Sequence, residues 1–184
     1  MIRIESAAET DVGLRRSSNE DAFVSAAEHG VLALADGMGG AASGEVASGI
    51  FVDTVRERLS AGPPSVLEEA GEFVRKTFLL ANQRIRDLAA REPEHQGMGC
   101  TGEMVVFTDD RYVVGHVGDS RVYLFREGRL RQVTKDHSFV QQQVDHGMIT
   151  PEQARVHPYR HMILRAIGIQ ASLAVDLISG KACP

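Results

Sequence analysis

Four acidic or glycine-flanked sites punctuate this sequence: Asn19-Glu20-Asp21, Asp36-Gly37, Gly118-Asp119-Ser120-Arg121, and Asp136 after Lys135. Carboxylates with a glycine carbonyl beside them are what hard divalent cations such as Mg2+ and Mn2+ take, together with several waters. Each site also has a plainer reading. Asp119 suits a tight turn between two apolar strands, and Glu20 and Asp21 suit a solvated loop. Asp-Gly is a common turn pair. Arg15-Arg16 stands just before the first acidic site. A guanidinium grips two phosphate oxygens in its fork, which a lysine does less well; surface charge is the plainer reading of both arginines. Other hydrolytic chemistries lack their residues. The seven histidines are scattered without metal spacing, and neither His-Glu-x-x-His, a Gly-x-Ser-x-Gly elbow nor Gly-x-x-x-x-Gly-Lys occurs.

These residues need elements to position them. The apolar run 31–35 is too short for a core helix and ends in glycine, so it predicts a buried strand. Asp36 then stands at the strand's mouth, where the backbone stops pairing. Gly37, Gly39 and Gly40 leave the next turn bare, so backbone can approach an ion or phosphate. Ile2, Ile4, Ser6 and Ala8 alternate with Arg3, Glu5 and Glu9, which predicts a half-buried first strand, and 22–26 predicts another before a His29-Gly30 turn. Val46, Ile50, Val55 and Leu59 recur at helical spacing until Gly62-Pro63-Pro64. Leu67, Ala70, Val74, Phe78, Ala81, Ile85 and Leu88 form the apolar stripe of a longer helix.

Strands return at 104–108, 111–117, 121–126 and 129–134, spaced as an antiparallel meander. Thr150 caps a short helix with Pro151 first and Gln153 completing a capping box, and His157-Pro158 ends it. Residues 163–167 are a further apolar piece, and 173–178 a last strand. Strands, two helices, then strands predict an α+β sandwich.

The 184 residues fit one domain with a sizeable core, and 43% hydrophobic residues mark a globular chain. A net charge of −5 argues against a general nucleic-acid binder. No apolar run reaches membrane-spanning length, and the N-terminus lacks the layout of a signal peptide. Cys100 and Cys183, the only cysteines, suggest neither a disulfide framework nor a zinc site. A soluble cytoplasmic domain is expected.

The stretch from Thr10-Asp11 through Arg15-Arg16 to Asn19-Glu20-Asp21 is followed in order by 33–40, Gly44-Glu45-Val46-Ala47-Ser48, Gly97-Met98-Gly99-Cys100-Thr101, Val117-Gly118-Asp119-Ser120-Arg121 and Thr134-Lys135-Asp136-His137-Ser138. In content and spacing the chain resembles the metal-dependent phosphatases of the protein phosphatase 2C (PPM) family, particularly the bacterial branch, from about residue 4 to about residue 169. The resemblance implies a four-layer α-β-β-α sandwich of two antiparallel sheets flanked by helices. It implies a single domain over 1–184 with a flap at about 137–165. It implies two or more Mn2+ or Mg2+ ions, with Asp36 bridging a pair, Glu20 and the Gly37 carbonyl holding one, and Asp119 near a third, weaker site. Arg16 matches the arginine that grips the substrate phosphate, and His161 in the flap would face substrate. The implied reaction is hydrolysis of phosphoserine or phosphothreonine in proteins, including the products of Ser/Thr kinases, by a metal-activated water. Met38 stands where some members carry a histidine after Asp-Gly.

The family pattern continues with a strand ending in Ser-Asp-Gly and a later Gly-x-Asp-Asn, each giving a metal-binding carboxylate. Neither motif occurs here, and Asp176 lies in the strand before them. The C-terminal strands of the sandwich are therefore expected to be missing, and metal binding and turnover by this chain alone to be weak. Exposed edges would invite self-association or completion by another chain. The alternative role is a catalytically impaired phosphatase-like module that binds phosphoproteins or a partner chain.

Overall fold

The computed structural model describes residues 3–39 and 43–182. Ile2, Gly40 and Cys183 lie outside the described residues. The described residues form eight strands: β1 (Asp21–Ala26), β2 (Val31–Met38), β3 (Gly99–Cys100), β4 (Gly102–Thr108), β5 (Arg111–Val117), β6 (Tyr123–Arg126), β7 (Arg129–Gln132) and β8 (Asp176–Lys181). The main sheet is antiparallel, in the order β1-β2-β4-β5-β8, with β3 paired to the end of β2. Helices α1 (Ser43–Ser60) and α2 (Leu67–Arg91) pack on one face of it. The α+β class, the antiparallel sheets and the flanking helices are those expected. Among the described residues the helices α1 and α2 cover one face of the main sheet, and the other face carries the acidic residues.

Period-two alternation decides which side chains meet the helices. Val24, Ala33, Ala35, Met104 and Val106 are buried against Phe51, Val55, Val74, Phe78 and Ile85. The α2 stripe is as expected: Ala70, Val74, Phe78, Ala81 and Ile85 are buried, with Leu67 and Leu88 packed at its ends. The α1 stripe is rotated from expectation. Ala47, Phe51, Val52, Val55 and Leu59 point inward, while Val46 and Ile50 are only partly buried. Phe51 has the most apolar area to hide, and it meets Phe78 edge to face at 5.0 Å. Burying each phenyl ring contributes about 1.5–3 kcal/mol.

Three other expectations fail. Residues 3–20 form no regular strand; their apolar positions include Ser6 and Ala8, which bury too little area to hold a register, and Ser6 only touches Ser25 by a hydroxyl contact of 2.7 Å. The four-strand meander splits, because β6 and β7 pair only with each other and β5 takes β8 as its neighbour. The connection from Val117 to Tyr123 is too long for a tight hairpin, and Gly118 at φ +114° turns the chain away. The last strand begins at Asp176 rather than 173, since register is set by pairing with β5, where Val114 faces Ile178 and His116 faces Asp176.

Between β7 and β8 lie two short helices, α3 (Phe139–Asp145) and α4 (Pro151–Val156). The expected Thr150–Gln153 capping box on α4 is present, and His157 ends that helix. Of the residues in these two helices, Val140 alone is buried. The segment leaves and returns at one place. Phe139 N donates to Met162 O at 2.9 Å, and Leu164 N donates to His137 O at 2.7 Å.

Candidate active site

Asp36 is not where β2 stops pairing. The strand runs on to Met38 and changes partner at this point, from β4 to β3. The change leaves Asp36 main chain to be satisfied by one residue, Thr101, between β3 and β4. The Asp36 N–H donates to Thr101 Oγ1 at 2.9 Å, and Thr101 N donates to the Asp36 carbonyl at 2.9 Å. The Asp36 side chain stands on the outer face, directly opposite Asp21 of β1. Two like charges in directly opposed cross-strand positions destabilise a sheet.

Glu20 joins them from the loop before β1. Its carbonyl accepts the Gly37 N–H at 3.0 Å. Its carboxylate lies against the first turn of α1, where a Cβ on Gly44 would stand 2.5 Å from Glu20 Oε1. A Cβ on Gly37 would stand 2.1 Å from the Gly44 carbonyl oxygen. The two glycines thus let β2, α1 and Glu20 converge. Arg16 Nη1 reaches Glu20 Oε2 at 3.0 Å, with its side chain mostly in solvent. The Gly118-Asp119-Ser120 turn closes the site from β5. Ser120 Oγ lies 2.8 Å from Thr101 Oγ1, and Asp119 is half-buried.

The Asp36 carboxyl is held above the ordinary carboxylate range, first by loss of solvent on its protein side and then by Asp21; Arg16 opposes this, and Asp119 and Glu20 add to it. Asp119 is raised as well, by burial and then by Asp136, with Arg121 and His161 among the groups pulling it down. His161, exposed, therefore sits within electrostatic reach of Asp119.

Around the end of β2 the structure thus brings together Arg16, Glu20, Asp21, Asp36 and Gly37, with Asp119 within electrostatic reach of Asp36 and His161 of Asp119. Asp136 is engaged elsewhere, in a two-pronged pair with Arg121 at 2.8 and 2.6 Å. Arg15 is simply exposed. The sequence alone assigns no role to Thr101, Ser120 or Gly44, although each lies inside one of the spaced motifs. Among the described residues no three His, Cys, Asp or Glu side chains form a closed metal-binding group. The fit is to a hard cation held in part by main-chain carbonyl and water: carboxylates that raise one another, and a glycine-lined cradle that a single Cβ would fill.

Residues 14–164 match the family model described as protein phosphatase 2C. The chain is 43% identical over 162 residues to the serine/threonine protein phosphatase PstP of Mycobacterium tuberculosis, across 88% of this chain and 30% of that protein. It is 34% identical over 170 residues to protein phosphatase PhpP of Streptococcus pneumoniae, across 91% of this chain and 69% of that one. The crystal structure of M. tuberculosis PstP superposes with a TM-score of 0.88 at 39% identity, covering 96% of this chain and 72% of that chain. The PstP catalytic domain in complex with two manganese ions superposes at 0.84 and 38% identity, covering 96% of this chain and 71% of that one. The chain thus spans less than a third of the full length of PstP.

Proposed function

This chain belongs to the protein phosphatase 2C family, and on that premise we propose that it hydrolyses phosphoserine and phosphothreonine in proteins with Mn2+ or Mg2+. The observation that carries the reading is the apposition of Asp36 and Asp21 beside Glu20, opposed only in part by the charge of Arg16.

In this reading Asp36, Glu20 and the Gly37 carbonyl would hold the principal ions, and Asp119 would hold a weaker one. When bound, such ions lower the pKa of a water and offset charge on the phosphoryl oxygens. Arg16 exchanges the Glu20 carboxylate for the substrate phosphate, since its fork accepts either anion. Met38, two residues beyond Asp36, has no proton to give. The leaving alkoxide is therefore protonated from water. Residues 137–165 form the substrate-selecting flap of a single domain, with His161 facing the phosphoprotein. Two facts support that assignment: the segment's slight burial, and its return to the sheet beside its own start. The substrates are proteins phosphorylated by Ser/Thr kinases. No helix of the described residues is long and apolar enough to cross a membrane, and we place the enzyme in the cytoplasm.

The test is hydrolysis of a phosphothreonine peptide by the purified chain across a manganese titration. Release of phosphate that rises with manganese, stops on chelation and is lost in Asp36→Asn supports the reading. Hydrolysis indifferent to chelation or to Asp36→Asn overturns it.

A further inference from the structure

We propose that Thr101 is a positioning residue that fixes the two acidic turns, Asp36-Gly37 and Gly118-Asp119-Ser120, relative to each other; the inference rests on the metal-dependent reading above. Thr101 is 1% exposed and lies in the gap between β3 and β4, where it belongs to neither strand. It touches no carboxylate oxygen of the site among the described contacts. Its bonds go instead to the main chain of one turn and the side chain of the other.

Both halves of the side chain are used. The hydroxyl oxygen accepts the Asp36 N–H at 2.9 Å. A hydroxyl has one proton and two lone pairs, so this leaves Thr101 free to share a hydrogen bond with Ser120 Oγ at 2.8 Å. Thr101 N adds a third tie, to the Asp36 carbonyl at 2.9 Å. The methyl group faces Gly118, where a Cβ would lie 2.6 Å from Thr101 Cγ2. Gly118 itself sits at φ +114°, a conformation that glycine adopts readily, so the turn comes in close and rests on that methyl. The hydroxyl pulls the turns together and the methyl sets how near they come. Cations held by the carboxylates of the two turns would sense that spacing. Groups that orient metal ligands in this way typically change affinity by about 10–100-fold when removed.

Three variants separate the contributions. Thr101→Val keeps the shape and removes the hydroxyl, Thr101→Ser keeps the hydroxyl and removes the methyl, and Ser120→Ala cuts the bridge from the other side. Free Mn2+ is measured by its electron paramagnetic resonance signal in the presence of each protein. Kinetics on a phosphothreonine peptide are run alongside. Thr101→Val is expected to weaken Mn2+ binding at least about tenfold and to lower kcat with KM little changed, because Arg16 is untouched. Thr101→Ser is expected to recover most of that affinity. Ser120→Ala is expected to weaken binding severalfold, and adding it to Thr101→Val to cost nothing further, since both remove one bridge.

The inference is overturned if folded Thr101→Val binds Mn2+ like the unaltered chain, or if Thr101→Ser is no better than Thr101→Val. Fully multiplicative effects of Thr101→Val and Ser120→Ala overturn it too. If Thr101→Val does not fold, unchanged Mn2+ affinity in Ser120→Ala overturns it alone. Absence of Mn2+ binding by the unaltered chain overturns the phosphatase reading, and this inference falls with it.

Discussion

Asp21 and Asp36 face each other across β1 and β2. Two residues back along β2, Leu34 begins a second row on the same face, which continues through Glu103, His116 and Asp176 on β4, β5 and β8. The rows are neighbours and use the same kinds of side chain, yet their charges are treated differently. In the second row each carboxyl group has a basic partner. Glu103 Oε1 meets His116 Nδ1, and His116 Nε2 meets the Lys135 carbonyl at 2.8 Å. Asp176 meets Arg165 at 2.7 Å and His137 at 3.1 Å. Burial pushes Glu103 up to about 7 despite the pull of His116. Burial alone would lower His116, but the hydrogen bond and charge of Glu103 raise it. In the first row, no side-chain hydrogen bond to the Asp36 carboxylate exists among the described residues, and Arg16 bonds Glu20 instead. Charge balanced by protein serves stability, whereas the charge left unbalanced in the first row is what the proposed cation site would use.

The sharpest way to break this contrast is His116→Ala. It strands the buried Glu103 carboxyl and is expected to cost about 3–5 kcal/mol, read from urea denaturation. A loss below about 1 kcal/mol, the range of exposed ion pairs, would show that the second row is not balanced through His116. Asp36→Asn should do the reverse. Manganese-dependent hydrolysis falls by about 10²–10³-fold, while the metal-free protein melts no lower. The sign follows from the raised carboxyl: ionising Asp36 weakens the fold above the ordinary carboxylate pKa of 3.8, and asparagine removes that penalty. A lower melting temperature would contradict the contrast.

Gly44→Ala gives a smaller effect with an unexpected sign. In an exposed helix the change gains about 1 kcal/mol. Here the new Cβ collides with Glu20 and with the end of β2, so a net loss of about 1–3 kcal/mol is expected, with weaker Mn2+ binding by calorimetry. Asp176→Asn should be the mildest. Burial raises Asp176, but His137 and Arg165 outweigh it and hold the carboxyl below 3.8. Its contribution is present above that value and is lost as pH falls through its folded pKa. At neutral pH the variant is expected to lose about 0.5–1 kcal/mol, discounted because the side chain is 44% exposed. The gap to the unaltered chain should close in acid, followed by denaturation at a series of pH values.

These differences were unevenly legible beforehand. Local signals carried well for the α2 stripe and the Thr150 capping box. The sequence puts Asp36 at a strand's mouth although β2 runs on to Met38, because a glycine after an apolar run looks the same whether the strand ends or changes partner. Pairing between distant segments left no trace in local pattern. Nothing in residues 111–126 says that β5 prefers β8 to β6. The role of Thr101 depends on three strands and a turn arriving together, and a threonine after Gly-Cys announces none of them. The balanced row was invisible for the same reason, since Glu103, His116 and Asp176 meet only through sheet register.

The segment carrying α3 and α4 adds a consequence of a different kind. Its two ends are stitched together at His137–Leu164 and Phe139–Met162, while Val140 alone of its helical residues is buried. Its length is thus uncoupled from the sheet. Doubling such a loop adds only about 0.6 kcal/mol of closure entropy, so evolution or an engineer can lengthen, shorten or exchange it while Asp36 and Asp119 keep their places. The fold thus separates the sheet that fixes Asp36 and Asp119 from a segment whose length is free to vary.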